Sequence, residues 1–279
     1  MALKLMYITN RPDIAEIVES AGVDRIFVDL EYIGKDQRQG GMDTVQNHHT
    51  VEDVRALKNA ITKAERLVRG NPIHEATAQY GSSEEEINAV IAAGAEIVML
   101  PFFKKPQEVK EFIRLVGGRV KTMLLFETPE SVENIDEILN LEGIDEVFIG
   151  LNDLSLGYGK SFMFELLADG TVERICLKFK QKGLPYGFGG IAALGKGMLP
   201  SEYVIREHYK LGSTCAILSR SFCNVNAVGD MDVIRSTFVN GVGEIRQFED
   251  ECRQYADYFC DSEAKMQAIV HNICSMQKT

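Results

Sequence analysis

The chain has no Cys-x-x-Cys pair, no Cys/His cluster at zinc-ligand spacing, and no apolar run approaching the length of a membrane span. Its six cysteines (Cys176, Cys215, Cys223, Cys252, Cys260 and Cys274) are scattered over 279 residues, so neither a disulfide framework nor a structural zinc is expected. Most of them read as small buried hydrophobes. The opening MALKLMYITN passes straight into strand-like sequence without the regions of a secretory leader. A soluble, cytoplasmic protein without a membrane partner is therefore expected. An excess of basic residues is missing too: the net charge of −11 argues against nucleic acid as a partner. Small anionic substrates stay open, because a local arginine or metal overrides the global field. Repeats and low-complexity tracts are absent. What is present is 45% hydrophobic sequence, ample for a buried core in one large domain or two ordinary ones.

That apolar material alternates regularly. Short runs suited to buried parallel strands lie at 3–8, 25–30, 66–69, 97–100, 121–126, 146–149, 185–188 and 215–218. Helical patterns lie between them at 13–20, 51–63, 84–93, 107–116, 132–139, 172–181 and 202–211. This order favours an α/β TIM (β/α)8 barrel, with an open doubly wound sheet as the alternative because the first and seventh runs are weak. Local signals agree. Pro12 and Pro106 suit first helical turns, Ser82 or Ser83 suits an N-cap, and Gly22, Gly94, Gly143 and Gly212 suit helix stops. The acids of SSEEE read as a helix-dipole feature. Two connections are long, 32–50 and 151–170, both on the C-terminal side of the strands, where long loops tend to be functional. Residues 1–230 are read as barrel core. Residues 231–279 are read as a closing helix and an extension helix with apolar positions Met266, Ile269, Val270 and Ile273. The extension packs either on the barrel exterior or in a homo-oligomer interface.

The chemistry-bearing residues gather at one end of this scheme. Glu127 follows the fifth run and Asp153 the sixth, and consecutive parallel strands of a barrel are neighbours. Two carboxylates so placed suit a hard cation such as Mg²⁺, and equally suit one helix cap and one turn acid. Arg69 ends the third run, where it could clamp a carboxylate, and Asp29 and Glu31 straddle the end of the second. His48 and His49 stand in the first long connection, as a base, a metal site or solvated side chains. After the seventh and eighth runs, Gly189, Gly190, Lys196, Ser219 and Arg220 have the makings of an anion or phosphate site, or simply of a tight turn.

In order along the chain, FVDLE, LVRGNP, AAGAEIVMLPFF, LLFETPESVENIDEIL and GIDEVFIGLNDLSLGYG resemble the HpcH/HpaI aldolase and citrate lyase β-subunit family. The likeness is good over residues 25–159 and looser beyond, and the FET and FIGxxDLS motifs are its specific part. It implies a TIM barrel that uses Mg²⁺ or Mn²⁺ to make or break the carbon–carbon bond beside a 2-oxo acid. By matching motif, Glu127 and Asp153 would hold the metal and Arg69 the substrate carboxylate. The backbone of Gly150, Leu151 and Asn152 would hold the oxo acid, and Asp29 and Glu31 would orient metal-bound water. Three positions depart from the aldolase pattern: Tyr32 replaces a histidine, Leu125 a glutamine, and Ala92 the aspartate that partners the histidine. Tyr32, His48 and His49 are then the candidates for a base. A pyruvate-type lyase is expected, with a sugar-acid or phosphorylated substrate as one form of it. The alternatives are an acyl-CoA lyase or thioesterase and a non-catalytic oxo-acid-binding barrel.

Overall fold

The computed structural model describes residues 2–34, 49–254 and 258–276. Within them, eight parallel strands close into a barrel in chain order. These are β1 (Lys4–Ile8), β2 (Arg25–Asp29), β3 (Glu65–Arg69), β4 (Ile97–Leu100), β5 (Lys121–Phe126), β6 (Glu146–Ile149), β7 (Tyr186–Ile191) and β8 (Cys215–Leu218). Closure is direct: Lys4 of β1 is in register with Cys215 of β8, and Tyr7 with Leu218. The open-sheet alternative is thereby excluded, and the fold is the TIM barrel.

The helices that follow β1 to β4 are α1 (Pro12–Ser20), α2 (Val51–Ala60), α3 (Ser83–Ala93) and α4 (Pro106–Val116). After β5 come α5 (Pro129–Glu133) and α6 (Ile135–Ile138), and after β6 come α7 (Leu151–Gly157), α8 (Glu165–Ala168) and α9 (Thr171–Gln181). The chain ends with α10 (Ser201–Leu211), α11 (Met231–Gln254) and α12 (Tyr258–Met276). Ser82 caps α3 in a reciprocal capping box with Glu85, and both Pro12 and Pro106 open their helices.

Strand side chains alternate between two cores. Met6, Phe27, Leu67, Met99, Met123, Leu125 and Phe148 fill the barrel interior, and residues such as Val28, Val98 and Leu124 face the helices. The N-terminal end of the barrel is plugged by charge. Fully buried Arg25 donates to both carboxylate oxygens of Glu146, at 2.7 and 2.6 Å, and to Glu65 at 2.8 Å. Chemistry is thereby confined to the opposite end.

Three expectations need correction. The helix read at 132–139 is the pair α5 and α6, broken at Asn134, whose side-chain amide donates to the carbonyls of Lys104 and Glu130. The connection read at 151–170 carries α7 and α8. Strand β7 runs to Ile191, so Gly189 and Gly190 belong to it and not to a following loop. The cause is packing: a Cβ at Gly187 would lie 2.2 Å from the Cys215 carbonyl and 2.7 Å from the Phe148 ring. Glycine admits that ring, and the strand continues past it with a register shift.

Helix α11 closes the barrel. Its Glu249, fully buried, accepts from the Leu3 amide at 2.7 Å and the Tyr209 hydroxyl at 3.0 Å. Helix α12 packs on α10 and α8, burying Met266 and Val270. Among the described residues no helix is long and apolar enough to cross a membrane.

Candidate active site

The charged residues read as a metal and carboxylate site stand at the C-terminal ends of strands. Asp29 ends β2, Arg69 ends β3, Glu127 follows β5, and Asp153 lies in the first turn of α7 directly after β6. Asp29, Arg69, Glu127 and Asp153 line one cavity of about 450 Å³, together with Gly150, Leu151 and Asn152. Its floor is apolar, built from Phe27, Met99, Leu125 and Phe148. Across from the acids, Gly189, Gly190, Ser219, Arg220, Asn224 and Asn226 form a more polar wall. Lys196 is exposed in the turn beyond β7 and does not line the cavity with them.

Glu127 and Asp153 are both buried, 2% and 9% exposed; neither is the N-cap residue of the helix that follows, and Asp153 is the acid of the first turn of α7. Thr128, not Glu127, caps α5 through its hydroxyl. The Glu127 Oε1 accepts the Phe102 amide at 3.0 Å. On the other side Gly150 fits closely: a Cβ there would stand 2.7 Å from Glu127 Oε2 and 2.8 Å from Glu127 Cβ. Among the described residues no three His, Cys, Asp or Glu side chains come together as a metal-binding group. The two acids supply hard oxygen donors, so a divalent ion that takes further oxygens from substrate and water fits them, whereas an all-protein metal cage does not.

Arg69 is wired differently from expectation. Its Nε and Nη2 each donate to Asp29 at 2.8 Å, a two-point pairing, and Nη1 lies 3.4 Å from Glu31. Burial works against the Arg69 charge, but Asp29, Glu31 and Glu127 outweigh it and hold the guanidinium protonated well above its ordinary value. Asp29 and Glu31 are thus partners of the arginine, and Glu31, 1% exposed, does not line the cavity.

The candidate bases fare unequally. His48 lies outside the described residues. His49 is buried and its Nδ1 accepts the Asp29 amide at 3.1 Å, which places the ring proton of the neutral form on Nε2. The Tyr32 hydroxyl donates to the His49 carbonyl, and burial, then Asp29, raise its pKa. Neither Tyr32 nor His49 lines the cavity. They close the neck of the connection after β2 instead, with help from residues the sequence reading passed over. Asn71 accepts the amides of Tyr32 and Ile33 at 2.8 and 2.9 Å. Glu86 in turn accepts from the Asn71 amide at 2.7 Å and from its side chain at 2.5 Å. One acid of SSEEE therefore positions the rim of the site. Asn71 could have been suspected from RGNP, directly after Arg69, but nothing in the sequence marked Phe102.

A sequence profile described as HpcH/HpaI aldolase/citrate lyase matches residues 4–184, most of the barrel. The chain belongs to the HpcH/HpaI aldolase/citrate lyase family. Membership supports a lyase kind of activity. Among curated relatives, a hydroxypyruvate/pyruvate aldolase of Rhizorhabdus wittichii is 38% identical over 88 residues, 29% of this chain and 35% of that protein. A pyruvate kinase of Methylorubrum extorquens is 28% identical over 71 residues, 25% of this chain and 14% of that protein. The matched stretches thus span well under half of these relatives. Solved structures add the fold. An HpcH/HpaI aldolase from Desulfitobacterium hafniense superposes with a TM-score of 0.60 at 20% identity, covering 88% of this chain and 93% of that one. The citrate synthase SbnG does so with a TM-score of 0.59 at 15% identity, covering 84% and 94%.

Proposed function

We propose that this protein is a divalent-metal-dependent carbon–carbon lyase that acts on a pyruvate-type 2-oxo acid. The observation that carries the reading is the placement of Glu127 and Asp153 on neighbouring strand ends, buried, opening with Arg69 into one cavity. Mg²⁺ or Mn²⁺ held by these two carboxylates would supply Lewis-acid stabilisation of the negative charge that develops on the 2-oxo acid as the bond breaks. The chain's own residues do the rest. The backbone at Gly150, Leu151 and Asn152 lies beside the acids and offers main-chain groups to the substrate carboxylate. Arg69, its Nε and Nη2 given to Asp29 and its Nη1 beside Glu31, keeps positive charge at the cavity wall toward the substrate carboxylate. The apolar floor of Phe27, Met99, Leu125 and Phe148 keeps water from the carbon that carries the new electron pair. The wall of Ser219, Arg220, Asn224 and Asn226 receives the polar end of the second substrate half, a sugar-acid or phosphorylated group.

Release of pyruvate from a 4-hydroxy-2-oxo acid tests this reading. Glu127→Ala or Asp153→Ala should each lower metal-dependent cleavage about a hundredfold or more, with the barrel still folded by circular dichroism. Cleavage indifferent to chelator would remove it. A second reading has an observation of its own: no histidine is among the described residues that line the cavity. A barrel that binds an oxo acid without turning it over would show calorimetric binding and no exchange of substrate protons with solvent.

A further inference from the structure

Phe102, just past β4, has a backbone φ of +49°, and among the described residues it is the one non-glycine residue in the left-handed region. A bulky side chain there is strained, and such strain persists where the surroundings impose it. At this turn the Phe102 N–H donates to Glu127 Oε1 at 3.0 Å. The opposite side of the same carboxylate rests against Gly150, where no Cβ could fit. Phe102 also lines a second cavity of about 560 Å³ on the outer side of the acid pair, so Glu127 and Asp153 form the partition between the two spaces.

We infer that the main-chain N–H of Phe102, at the turn where its backbone is left-handed, is a positioning group for the Glu127 carboxylate. The inference rests on the reading of Glu127 as a cation ligand, and the Phe102 ring has no part in it. A charge-assisted amide donor takes one carboxylate oxygen and thereby decides how the other is presented to an ion between Glu127 and Asp153.

Replacing residue 102 by phenyllactic acid removes this N–H and keeps the ring, because an ester oxygen takes the place of the amide. Mn²⁺ affinity, read by electron paramagnetic resonance on the otherwise intact chain, should fall about tenfold with the thermal midpoint nearly unchanged. Phe102→Gly keeps the N–H, accepts a positive φ, and should bind Mn²⁺ more tightly than the ester-bearing chain. In metal-free protein the Phe102 amide proton should resonate downfield and move upfield in Glu127→Gln. An ester chain that binds Mn²⁺ like the unmodified protein, or an amide resonance indifferent to Glu127→Gln, would overturn the assignment. Absence of Mn²⁺ affinity in the unmodified chain would remove the cation reading instead, and the metal-free resonance would then decide the role of Phe102 alone.

Discussion

Gly150 and Asp29 show how little freedom the acids at the mouth have. A methyl group at residue 150 would overlap Glu127, so Gly150→Ala should cost about 10- to 100-fold in metal-dependent turnover, measured at saturating substrate. The same variant should also lose stability, because the displaced Glu127 is buried and its Oε1 accepts the Phe102 amide. Asp29 has a different task. It holds the fork of Arg69, and Asp29→Ala would leave a buried guanidinium with Glu31 as its remaining close acid partner among those described. Urea unfolding should show a loss of about 3 kcal/mol. The sequence motifs brought these residues to one strand-end rim, but they could not reveal the pairing. Asp29 and Arg69 share one register position on neighbouring strands, and register is a tertiary fact.

Packing of whole elements raises the question of what holds the outer helices. Glu207 of α10 is 3% exposed and faces Lys210, itself bound to Glu263 of α12 at 2.9 Å. Burial raises the Glu207 carboxyl to about 7; Lys210 opposes the shift and Glu263 adds to it. A carboxyl whose folded value lies above its unfolded value of about 4.3 favours folding fully only below that value. The contribution is lost as pH rises through 7. Glu207→Gln should therefore gain stability over the native chain between pH 5 and pH 8, by a few kcal/mol at most, read as the difference between urea midpoints. Helical periodicity identified α10 and the apolar stripe of α12, yet it gave no hint of this buried acid. Strand β7 shows the same limit from the other side. Gly189 and Gly190 read as a turn after the run at 185–188, and the strand continues through them past Gly187, which admits the Phe148 ring.

For the molecule as a whole, alternation of apolar runs was enough to find all eight strands and the barrel, because buried parallel strands advertise themselves as short continuous apolar segments. The acid pair was legible for the same reason: strand ends of a barrel share one mouth. The route of the proton was not, since His48 lies outside the described residues and His49 is engaged at the neck of its loop. The homo-oligomer stands as a proposal from the sequence. Of the α12 stripe, Met266 and Val270 are buried in a helix that packs on α10 and α8 of the same chain, and Ile269 and Ile273 are half-buried. The central claim is that Glu127 and Asp153 serve metal-assisted chemistry beside the carbonyl of a 2-oxo acid. Deuterium incorporation into the methyl group of pyruvate in D₂O, followed by proton NMR with Mn²⁺ and again with chelator, tests it most directly. The account predicts exchange that requires Mn²⁺ and disappears in Glu127→Gln; exchange that persists with chelator, or none in the metal-loaded chain, would contradict it.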